Sequence, residues 1–503
     1  MKAESRLAIF RADASAAIGA GHAARCLSLA RSLTAAEWSC VLVSGRGAND
    51  ALPSPWPTTV AAVELTGDAA AEPSELAVRW PEGADLLVVD HYHRDEKFER
   101  ACRPWARRIL VLDDLADRPH DCDILLDPAA SRRATDYAAL IPEGCMQLFG
   151  PAYLPLRASF AAARRSAMAR RAEEVQPSRL LLSFGATDPD NVTSAVLDIL
   201  ARADWPLAVD ILLGLGAPHL EAVRAKAAAM PFPAVLHIAI EDVAGLLCAA
   251  DLAVGAGGGG AWERCCLGLP SIVMCTADNQ HAVADSLSAA GAAVVLADAE
   301  NIDDRDLIKA LQHLIEDGAA RRGMARSAAC LCDGLGAGRL VTALDPPHAH
   351  DGAAIQLRPA VAADGGRLLA WQRDPLTRRH FRTSRAPGTD EHNAWFFARL
   401  GDPDCIFNIV LYGGEPAGVL RLECCAGGDV YEVSIYVAPE RWRLGIAGAA
   451  LFLARRLLPE AELRAEVQVE NEASQALFAA AGYRPEGSWY ISRPALNRIH
   501  VTD

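Results

Sequence analysis

Short, continuous apolar runs recur along the first two thirds of this 503-residue sequence, and most of them end at a polar residue followed by a helix-like segment. Residues 86–89 lead into Asp90, for example, and residues 109–112 lead into Asp113. Such runs are typical of parallel strands that are covered on both faces. Polar residues at the carboxyl ends of these strands predict a ligand crevice there. Asp also ends strands and caps helices, so each carboxylate has a structural reading as well.

The order of these segments predicts an α/β protein with three domains. Two consecutive series of strands and helices, over residues 1–165 and 166–345, predict two doubly wound, Rossmann-like lobes that close around a ligand. The proline- and histidine-containing segment 346–353 has the composition of a linker. Hairpin-like strands around the Gly-Gly pair at 413–414 then predict a separate α+β domain over residues 354–503.

Composition excludes several classes of binding partner and indicates where the protein is located. A net charge of −15 argues against nucleic-acid binding. No apolar stretch approaches the ~18 residues of a membrane span, and the first residues lack the apolar core of a signal peptide. Fourteen cysteines are scattered without zinc-ligand spacing, so we expect no metal centre. Together these features predict a cytoplasmic protein that binds neither nucleic acid nor membrane.

A run of four glycines at 257–260 stands between an apolar strand and a helix-like segment. This arrangement exposes backbone N–H groups at a helix N-terminus and predicts a phosphate site. Glycine is needed where backbone approaches an anion closely. Glu263 follows in the first helical turn, where a carboxylate can accept hydrogen bonds from ribose hydroxyls. The alternative is a flexible turn without a ligand.

A second strand, glycine loop and helix occur near the N-terminus. The loop contains Gly19 and Gly21, and His22 begins the helix, which predicts that its imidazole faces the crevice as a general base. Arg25 lies one turn later on the same side of the helix. The structural alternative is that His22 is an ordinary surface residue.

Motifs spread over residues 6–345 together resemble the UDP-sugar hydrolase of pseudaminic acid biosynthesis. The closest match is Trp262-Glu263-Arg264-Cys265-Cys266-Leu267-Gly268-Leu269-Pro270 with the preceding glycines. The others are Arg11-Ala12-Asp13, Gly19-x-Gly21-His22, Val89-Asp90-His91-Tyr92, Leu112-Asp113-Asp114, Phe149-Gly150-Pro151, Gly185-x-x-Asp188-Pro189 and Asp278-Asn279-Gln280. The resemblance implies the GT-B architecture of nucleotide-sugar glycosyltransferases, with the sugar transferred to water.

The resemblance also implies roles for individual residues. His22 would be the catalytic base, with Asp13 and Tyr92 in the catalytic group. The residues implied for UDP and substrate binding are Gly19, Gly21, Arg25, Gly257, Gly258, Glu263, Asn279 and Gln280. Two positions depart from the family pattern: Ala186 stands where a second glycine is usual, and 259–260 are glycines where a Ser/Thr pair is usual. The second change removes hydroxyl contacts to phosphate, which predicts weaker affinity.

The expected chemistry is metal-independent hydrolysis with inversion. UDP is a good leaving group, so its departure needs stabilisation of charge, which the N–H groups of a glycine turn can supply. Water is a poor nucleophile and needs one base, for which histidine is suited. Attack opposite the leaving group inverts the anomeric centre.

The C-terminal region resembles GNAT acetyltransferases over about residues 355–490. The resemblance rests on Arg443-Leu444-Gly445-Ile446-Ala447-Gly448 after a strand, and on Asn471-x-x-Ser474 before an aromatic strand. It implies acetyl-CoA binding by Ile435, Val437, Arg443, Gly445, Ala447, Gly448, Asn471 and Ser474. Trp442 and Phe478 depart from the family pattern, since they replace a Gln/Arg and the Tyr that often protonates the thiolate. Tyr436 and Tyr483 are alternative acids.

These resemblances predict a bifunctional enzyme of pseudaminic acid biosynthesis. Its hydrolase would release UDP from UDP-2,4-diacetamido-2,4,6-trideoxy-beta-L-altropyranose or a close UDP-deoxysugar. Its acetyltransferase would acetylate the preceding UDP-amino-sugar with acetyl-CoA as donor. The alternatives are a GT-B glycosyltransferase that uses a UDP-sugar, and a sensor that binds nucleotide-sugar and CoA without turnover.

Overall fold

We describe the fold from a computed structural model of residues 6–14, 21–46, 59–173, 176–203, 205–296, 298–379, 381, 383, 385–425 and 429–494. By its internal contacts the chain divides into two compact units, Met1–Ala337 and Gly338–Asp503. No helix within the described ranges is long and apolar enough to cross a membrane.

The first lobe of unit 1 is a parallel sheet of seven strands in the order β3-β2-β1-β4-β5-β6-β7. Its buried apolar runs confirm the predicted doubly wound pattern. The strands are β1 (Leu7–Ala12), β2 (Ser39–Ser44), β3 (Val60–Glu64), β4 (Leu86–Asp90), β5 (Ile109–Leu112), β6 (Ile124–Asp127) and β7 (Met146–Phe149), and the helices are α1 (Gly21–Ala35), α2 (Glu72–Arg79) and α3 (Glu96–Cys102).

The second lobe is a parallel sheet of six strands in the order β10-β9-β8-β11-β12-β13. Its strands are β8 (Arg179–Ser183), β9 (Ala208–Leu213), β10 (Ala234–Ile238), β11 (Leu252–Ala256), β12 (Ser271–Met274) and β13 (Val294–Val295). Its helices are α4 (Ala158–Ala172), α5 (Val192–Arg202), α6 (Leu220–Ala228), α7 (Val243–Ala249), α8 (Gly259–Cys266), α9 (His281–Ala289), α10 (Asp304–Glu316) and α11 (Gly318–Leu331), and α12 (Gly336–Leu344) follows.

Both faces of the second sheet are covered. Leu180 and Leu182 pack into one apolar cluster, whereas Leu181 packs into the cluster on the other face. Phe160 and Ala167 of α4 belong to that same second cluster. The predicted lobe boundary at 165/166 therefore falls within a helix that packs as part of the second lobe.

Each sheet has a topological switch point, where connections run in opposite directions from neighbouring strands. In the first lobe it lies between β1 and β4, with Ala12 beside Asp90 in register. In the second lobe it lies between β8 and β11. Open α/β sheets bind ligands at such points, and both predicted glycine loops follow one of these four strands.

Unit 2 contains a mixed seven-stranded sheet in the order β14-β15-β16-β17-β18-β20-β19, as predicted for an α+β domain. Its strands are β14 (Ile355–Pro359), β15 (Cys405–Tyr412), β16 (Glu415–Cys424), β17 (Val430–Val437), β18 (Glu462–Glu466), β19 (Arg484–Glu486) and β20 (Trp489–Ser492). Its helices are α13 (Gly365–Arg373), α14 (Pro375–Arg378), α15 (Thr389–Leu400), α16 (Ile446–Leu457) and α17 (Glu472–Ala480).

Two features of unit 2 bear on the sequence predictions. Gly413 and Gly414 both have positive φ and connect β15 to β16 in a tight hairpin, as the Gly-Gly pair predicts. The predicted linker 346–353 differs from expectation, because it folds against the unit. Ile355 N–H donates to the Pro347 carbonyl, and His350 N–H donates to the Leu444 carbonyl.

Candidate active sites

His22 lies at the start of α1 and contacts the last residue of β4. Its Nδ1 forms a short hydrogen bond with the Asp90 carboxylate, and both side chains are buried. Arg25 donates to the two oxygens of the same carboxylate, each at 2.6 Å. Arg25 also reaches Asp114 at 3.3 Å. The first switch point thus holds a histidine, a carboxylate and an arginine in direct contact.

The hydrogen bonds determine which nitrogen of His22 carries the proton. Asp90 has no proton to donate, because the charge of Arg25 and the hydrogen bonds to Arg25 and His22 outweigh the effect of burial and hold the pKa of Asp90 well below its usual range. His22 Nδ1 must then be the donor, and the 3.3 Å approach of Arg25 Nη2 to it is a packing contact. Neutral His22 keeps its lone pair on Nε2, as a general base requires.

Tyr92 lies beside this histidine and reaches the second lobe. The rings of Tyr92 and His22 meet edge to face, with centroids 4.6 Å apart. Asn279 Nδ2 donates to the Tyr92 hydroxyl at 2.9 Å. Burial and the nearby Asp114 charge raise the pKa of Tyr92 to about 12, so the hydroxyl keeps its own proton for donation at neutral pH. Tyr92 and Asn279 therefore link the surroundings of His22 to the second lobe.

Asp13 is held in a different network from His22. Its oxygens contact the Arg11 guanidinium, the Gly45 N–H at 2.8 Å and His91 Nε2 at 2.9 Å. His91 Nδ1 accepts from His93 N–H at 2.9 Å, so Nε2 carries the proton donated to Asp13. Burial opposes ionisation, but these hydrogen bonds and the Arg11 charge keep the pKa of Asp13 far below its usual range. The contacts hold the end of β1, and a direct role for Asp13 in catalysis stays a prediction.

The glycine turn of the second lobe is shaped by Gln280. Gln280 Oε1 accepts from Gly257 N–H at 3.0 Å and from Thr276 N–H at 3.1 Å. A Cβ at Gly257 would stand 3.2 Å from that of Gln280, so a side chain there would be crowded. The N–H of Gly257 is therefore used within the protein. Whether Gln280 also touches a nucleotide stays a prediction.

The next residues of the turn keep their N–H groups available. Gly258 is the N-cap of α8, and within the described part of the chain no acceptor lies against the N–H groups of 258–260. A Cβ at Gly259 would meet nothing within 4 Å. The first N–H groups of a helix have no intrahelical partner and suit an anion. Gly21 likewise begins α1 in open space, whereas Gly19 lies outside the described residues.

Glu263 is partly buried and already has a cationic partner. Its Oε1 accepts from Arg157 Nη2 at 3.2 Å. Burial raises the pKa of Glu263, although Arg157 opposes the shift. One carboxylate oxygen remains for another donor, which is compatible with the predicted ribose contact.

One group of side chains bears on the expected absence of metal. Ligand atoms of Cys275, His281 and Asp298 lie within 4.8 Å of one another, and the first two flank the 276–280 segment in sequence. Cys275 is buried and the other two are exposed. Cys, His and Asp are all zinc ligands, so a metal-free mechanism stays a prediction.

In unit 2 the predicted CoA turn precedes α16. Arg443 and Gly445 both have positive φ, and Gly445 is the N-cap of the helix. A Cβ at Gly445 would stand 2.8 Å from the ring of His350. Glycine is thus required there by backbone conformation and by contact. Ala447 and Gly448 lie in the first turn of α16, whose N-terminus can receive a pyrophosphate.

Strand β17 has an open edge next to this turn. It pairs with β18 only from Val430 to Glu432, and no described strand continues the pairing on that side. The open part contains Ile435 and Val437, the two residues predicted to face acetyl-CoA. Strand β16 covers the opposite edge through Val437. Backbone groups of the open edge are therefore available to a ligand that lies between β17 and β18.

Asn471 caps α17, since its side-chain oxygen accepts from Ser474 N–H at 3.1 Å. That bond to a backbone N–H explains an asparagine at the N-cap and leaves the Asn471 NH₂ group for a ligand. Trp442 Nε1 donates to the Val437 carbonyl at 2.8 Å and so ties the turn to β17.

Two tyrosines are candidates for the general acid that protonates the leaving thiolate, a role that Phe478 has no proton to fill. The hydroxyls of Tyr436 and Tyr483 are buried; that of Tyr483 has no hydrogen-bond partner in the described part of the chain, and Gln372 lies beside that of Tyr436. Burial raises the pKa of Tyr483 to about 12 and also raises that of Tyr436. Both therefore hold their protons at neutral pH, as an acid must.

Sequence reasoning missed Asp90 as the partner of His22. Its signals are its place at the end of an apolar run, which it shares with Asp113, and its place in the Val89-Asp90-His91-Tyr92 motif, and neither links it to His22. It also missed Arg264, which is buried beneath the glycine turn.

Comparison with known proteins gives separate matches for the two parts. Residues 367–483 match the model of the acetyltransferase (GNAT) family. The spore coat polysaccharide biosynthesis protein SpsG of Bacillus subtilis is 30% identical over 200 residues, which cover 39% of this chain and 57% of SpsG. The UDP-2,4-diacetamido-2,4,6-trideoxy-beta-L-altropyranose hydrolase of Campylobacter jejuni is 33% identical over 153 residues, which cover 30% of this chain and 52% of the hydrolase.

A structure of Acinetobacter baumannii MurG aligns with 67% of this chain and 99% of its own, at 14% identity and a TM-score of 0.48. The chain spans little more than half the length of the two relatives compared by sequence. In sequence, this chain resembles a fusion of a sugar-nucleotide hydrolase with a GNAT acetyltransferase.

Proposed function

We propose that unit 1 hydrolyses a UDP-linked deoxysugar to the free sugar and UDP. The observation that carries the proposal is the His22–Asp90 pair, buried at the first switch point and joined through Tyr92 and Asn279 to the lobe with the glycine turn. Similarity to the Campylobacter hydrolase supports a substrate such as UDP-2,4-diacetamido-2,4,6-trideoxy-beta-L-altropyranose.

In this mechanism His22 Nε2 takes a proton from water as the water oxygen attacks the anomeric carbon. Asp90 keeps the other ring nitrogen protonated and stabilises the imidazolium that forms. The bond between the sugar and UDP breaks on the opposite face, so the configuration inverts. N–H groups of residues 258–260 face the charge that grows on the departing diphosphate. Tyr92 has a proton to donate to the substrate.

We further propose that unit 2 acetylates an amino group of a UDP-amino-sugar, with acetyl-CoA as donor. The GNAT match supports the donor, and the positive-φ turn at Gly445 and the open edge of β17 fit it. The N–H groups of α16 would hold the pyrophosphate, and those of β17 would face the thioester oxygen. Tyr436 or Tyr483 would protonate the leaving thiolate. We propose that the two activities serve pseudaminic acid biosynthesis in the cytoplasm.

The test is to incubate the full chain with candidate UDP-sugars, with and without acetyl-CoA, and to follow the products by NMR. We expect UDP and a free sugar of inverted anomeric configuration as the first products, and acetylated UDP-sugar only when acetyl-CoA is present. His22→Gln should lower hydrolysis by roughly 10²–10⁴-fold with little change in UDP affinity. Hydrolysis by that variant within a few-fold of wild type would exclude His22 as the base.

A further inference from the structure

We propose that Arg264 is a fixed positive charge that binds the diphosphate of the nucleotide from beneath the glycine turn. The inference rests on the proposed function of unit 1 and concerns how its second lobe recognises a nucleoside diphosphate.

Arg264 lies on α8, and its side chain points back toward the start of that helix. Its Nη2 donates to the carbonyl of Ala256, the last residue of β11, at 2.7 Å. A Cβ built on Gly255 would stand 2.8 Å from Nη1, and one built on Gly260 would stand 3.6 Å from it. The guanidinium therefore lies between the strand end and the first turn of α8.

Among the described residues this guanidinium has no ion-pair partner, although the charge of the neighbouring Glu263 acts on it. Arg264 is 2% exposed, its Nε has no hydrogen-bond partner, and within the described residues no carboxylate forms an ion pair with it. The adjacent Glu263 carboxylate is bound to Arg157 instead. Burial lowers the pKa of Arg264 to about 10, which leaves it charged at neutral pH.

A buried cation without a counter-charge destabilises a fold, so an anion that binds beside it gains the unused interaction. The N–H groups of 258–260 already favour an anion above the same turn, and no hydroxyl is present at 259 or 260 to assist them. The guanidinium supplies charge where the side chains of the turn supply nothing. We therefore expect Arg264 to favour a diphosphate over an uncharged ligand.

Arg171 offers a matched control in the same lobe. It is also buried, donates through Nη2 to a backbone carbonyl, that of Leu247 at 2.9 Å, and has an unpartnered Nε. Burial lowers its pKa to about 10 as well. Arg171 lies in the last turn of α4, where its hydrogen bond joins that helix to α7. Its loss should therefore affect stability without affecting nucleotide affinity.

The experiment is calorimetric titration of the full chain with UDP and with uridine. The variants are Arg264→Gln, Arg264→Lys and the control Arg171→Gln. We expect Arg264→Gln to weaken UDP binding by about 10- to 100-fold and to leave uridine binding unchanged. Arg264→Lys should recover most of the UDP affinity, because it restores the charge. Arg171→Gln should change neither affinity.

Equal weakening of UDP and uridine by Arg264→Gln, or unchanged UDP affinity, would overturn the proposal and leave Arg264 a structural residue. Failure of the wild-type chain to bind UDP would instead refute the proposed function. If Arg264→Gln does not fold, the wild-type chain labelled with ¹⁵N-arginine decides the matter. The Nε–H resonance that Arg264→Lys removes should shift on addition of UDP and not of uridine, and an equal response to both ligands would refute the diphosphate contact.

Discussion

Asp90→Asn tests whether the buried carboxylate of Asp90 determines which ring nitrogen of His22 carries the proton. In the wild-type chain Asp90 accepts from His22 Nδ1–H and twice from Arg25. An amide at this position presents one oxygen and one NH₂ group. If Arg25 retains the oxygen, the NH₂ group faces His22 Nδ1 and forces the proton onto Nε2, where a base needs its lone pair. We expect hydrolysis to fall by about 10²–10⁴-fold, in line with the effect of the same change in catalytic triads.

The substitution also has a stability cost, because it leaves Arg25 without its main counter-charge. Removing one partner of a buried ion pair costs about 3–5 kcal/mol. The low end is expected here, since the Arg25 side chain is 15% exposed and keeps Asp114 at 3.3 Å. Chemical denaturation of wild type and variant measures this difference in free energy of unfolding.

Asp114→Asn is the matched control for Asp90→Asn. It weakens a contact of the same arginine but leaves the hydrogen bond between His22 and the Asp90 carboxylate in place. Initial rates of UDP release, measured with each variant at least 95% folded, separate the two effects. If folded Asp90→Asn hydrolyses UDP-sugar within a few-fold of wild type, or no more slowly than Asp114→Asn, the assigned tautomer is wrong.

Two further predictions concern the ligand sites. Glu263→Ala should weaken UDP binding by about 1–3 kcal/mol if the free carboxylate oxygen of Glu263 accepts a hydrogen bond from a ribose hydroxyl. The control Arg157→Ala should affect mainly stability. If calorimetry gives equal UDP affinity for wild type and Glu263→Ala, Glu263 is the partner of Arg157 alone. Gly445→Val should abolish acetyl-CoA binding in the full chain and spare UDP-sugar hydrolysis, because it puts a β-branched side chain at φ +83° against His350. Gly414→Val, at φ +87° with nothing within 4 Å, is the control for backbone strain alone, and acetyl-CoA affinity that both variants keep would contradict the role of the turn.

Most strands of the two lobes could be predicted because their signal is local, whereas β3 and β7, which are not fully buried apolar runs, were missed. The run 109–112 is a strand with those bounds, and the turn at 413–414 needs only two glycines. The boundaries between domains were harder to predict from sequence. The stretch around residue 165 is basic and rich in alanine, which suggests a connection, yet Phe160 and Ala167 on one face of α4 bury it against the second lobe. Segment 346–353 reads as a linker by composition, but its backbone hydrogen bonds decide its conformation.

Motifs could locate candidate residues along the chain, but they could not predict a contact that spans the sheet. His22 could be selected from its glycine loop, but Asp90 is 68 positions away and meets it only because β1 pairs in parallel with β4. Any of the strand-ending aspartates could have been the partner, and pairing order alone distinguishes them. Gln280 was predicted to share a site with the glycine turn at 257–260. Its hydrogen bond to Gly257, however, depends on the fold of the 276–280 segment.

The same reasoning explains why Arg264 could not be assigned from its motif. At the sequence level an arginine in a short helix is read as solvated, because the helix offers it an exposed face. Here Gly255 leaves space that the guanidinium occupies, since a Cβ on it would stand 2.8 Å from Nη1. The glycines thus have two consequences: those of the turn let an anion approach the backbone from outside, and Gly255 at the end of β11 lets a cation approach from inside. A side chain at Gly255 would clash with that cation, whose guanidinium also lies in contact range of Gly260, so the turn and the buried charge form one site.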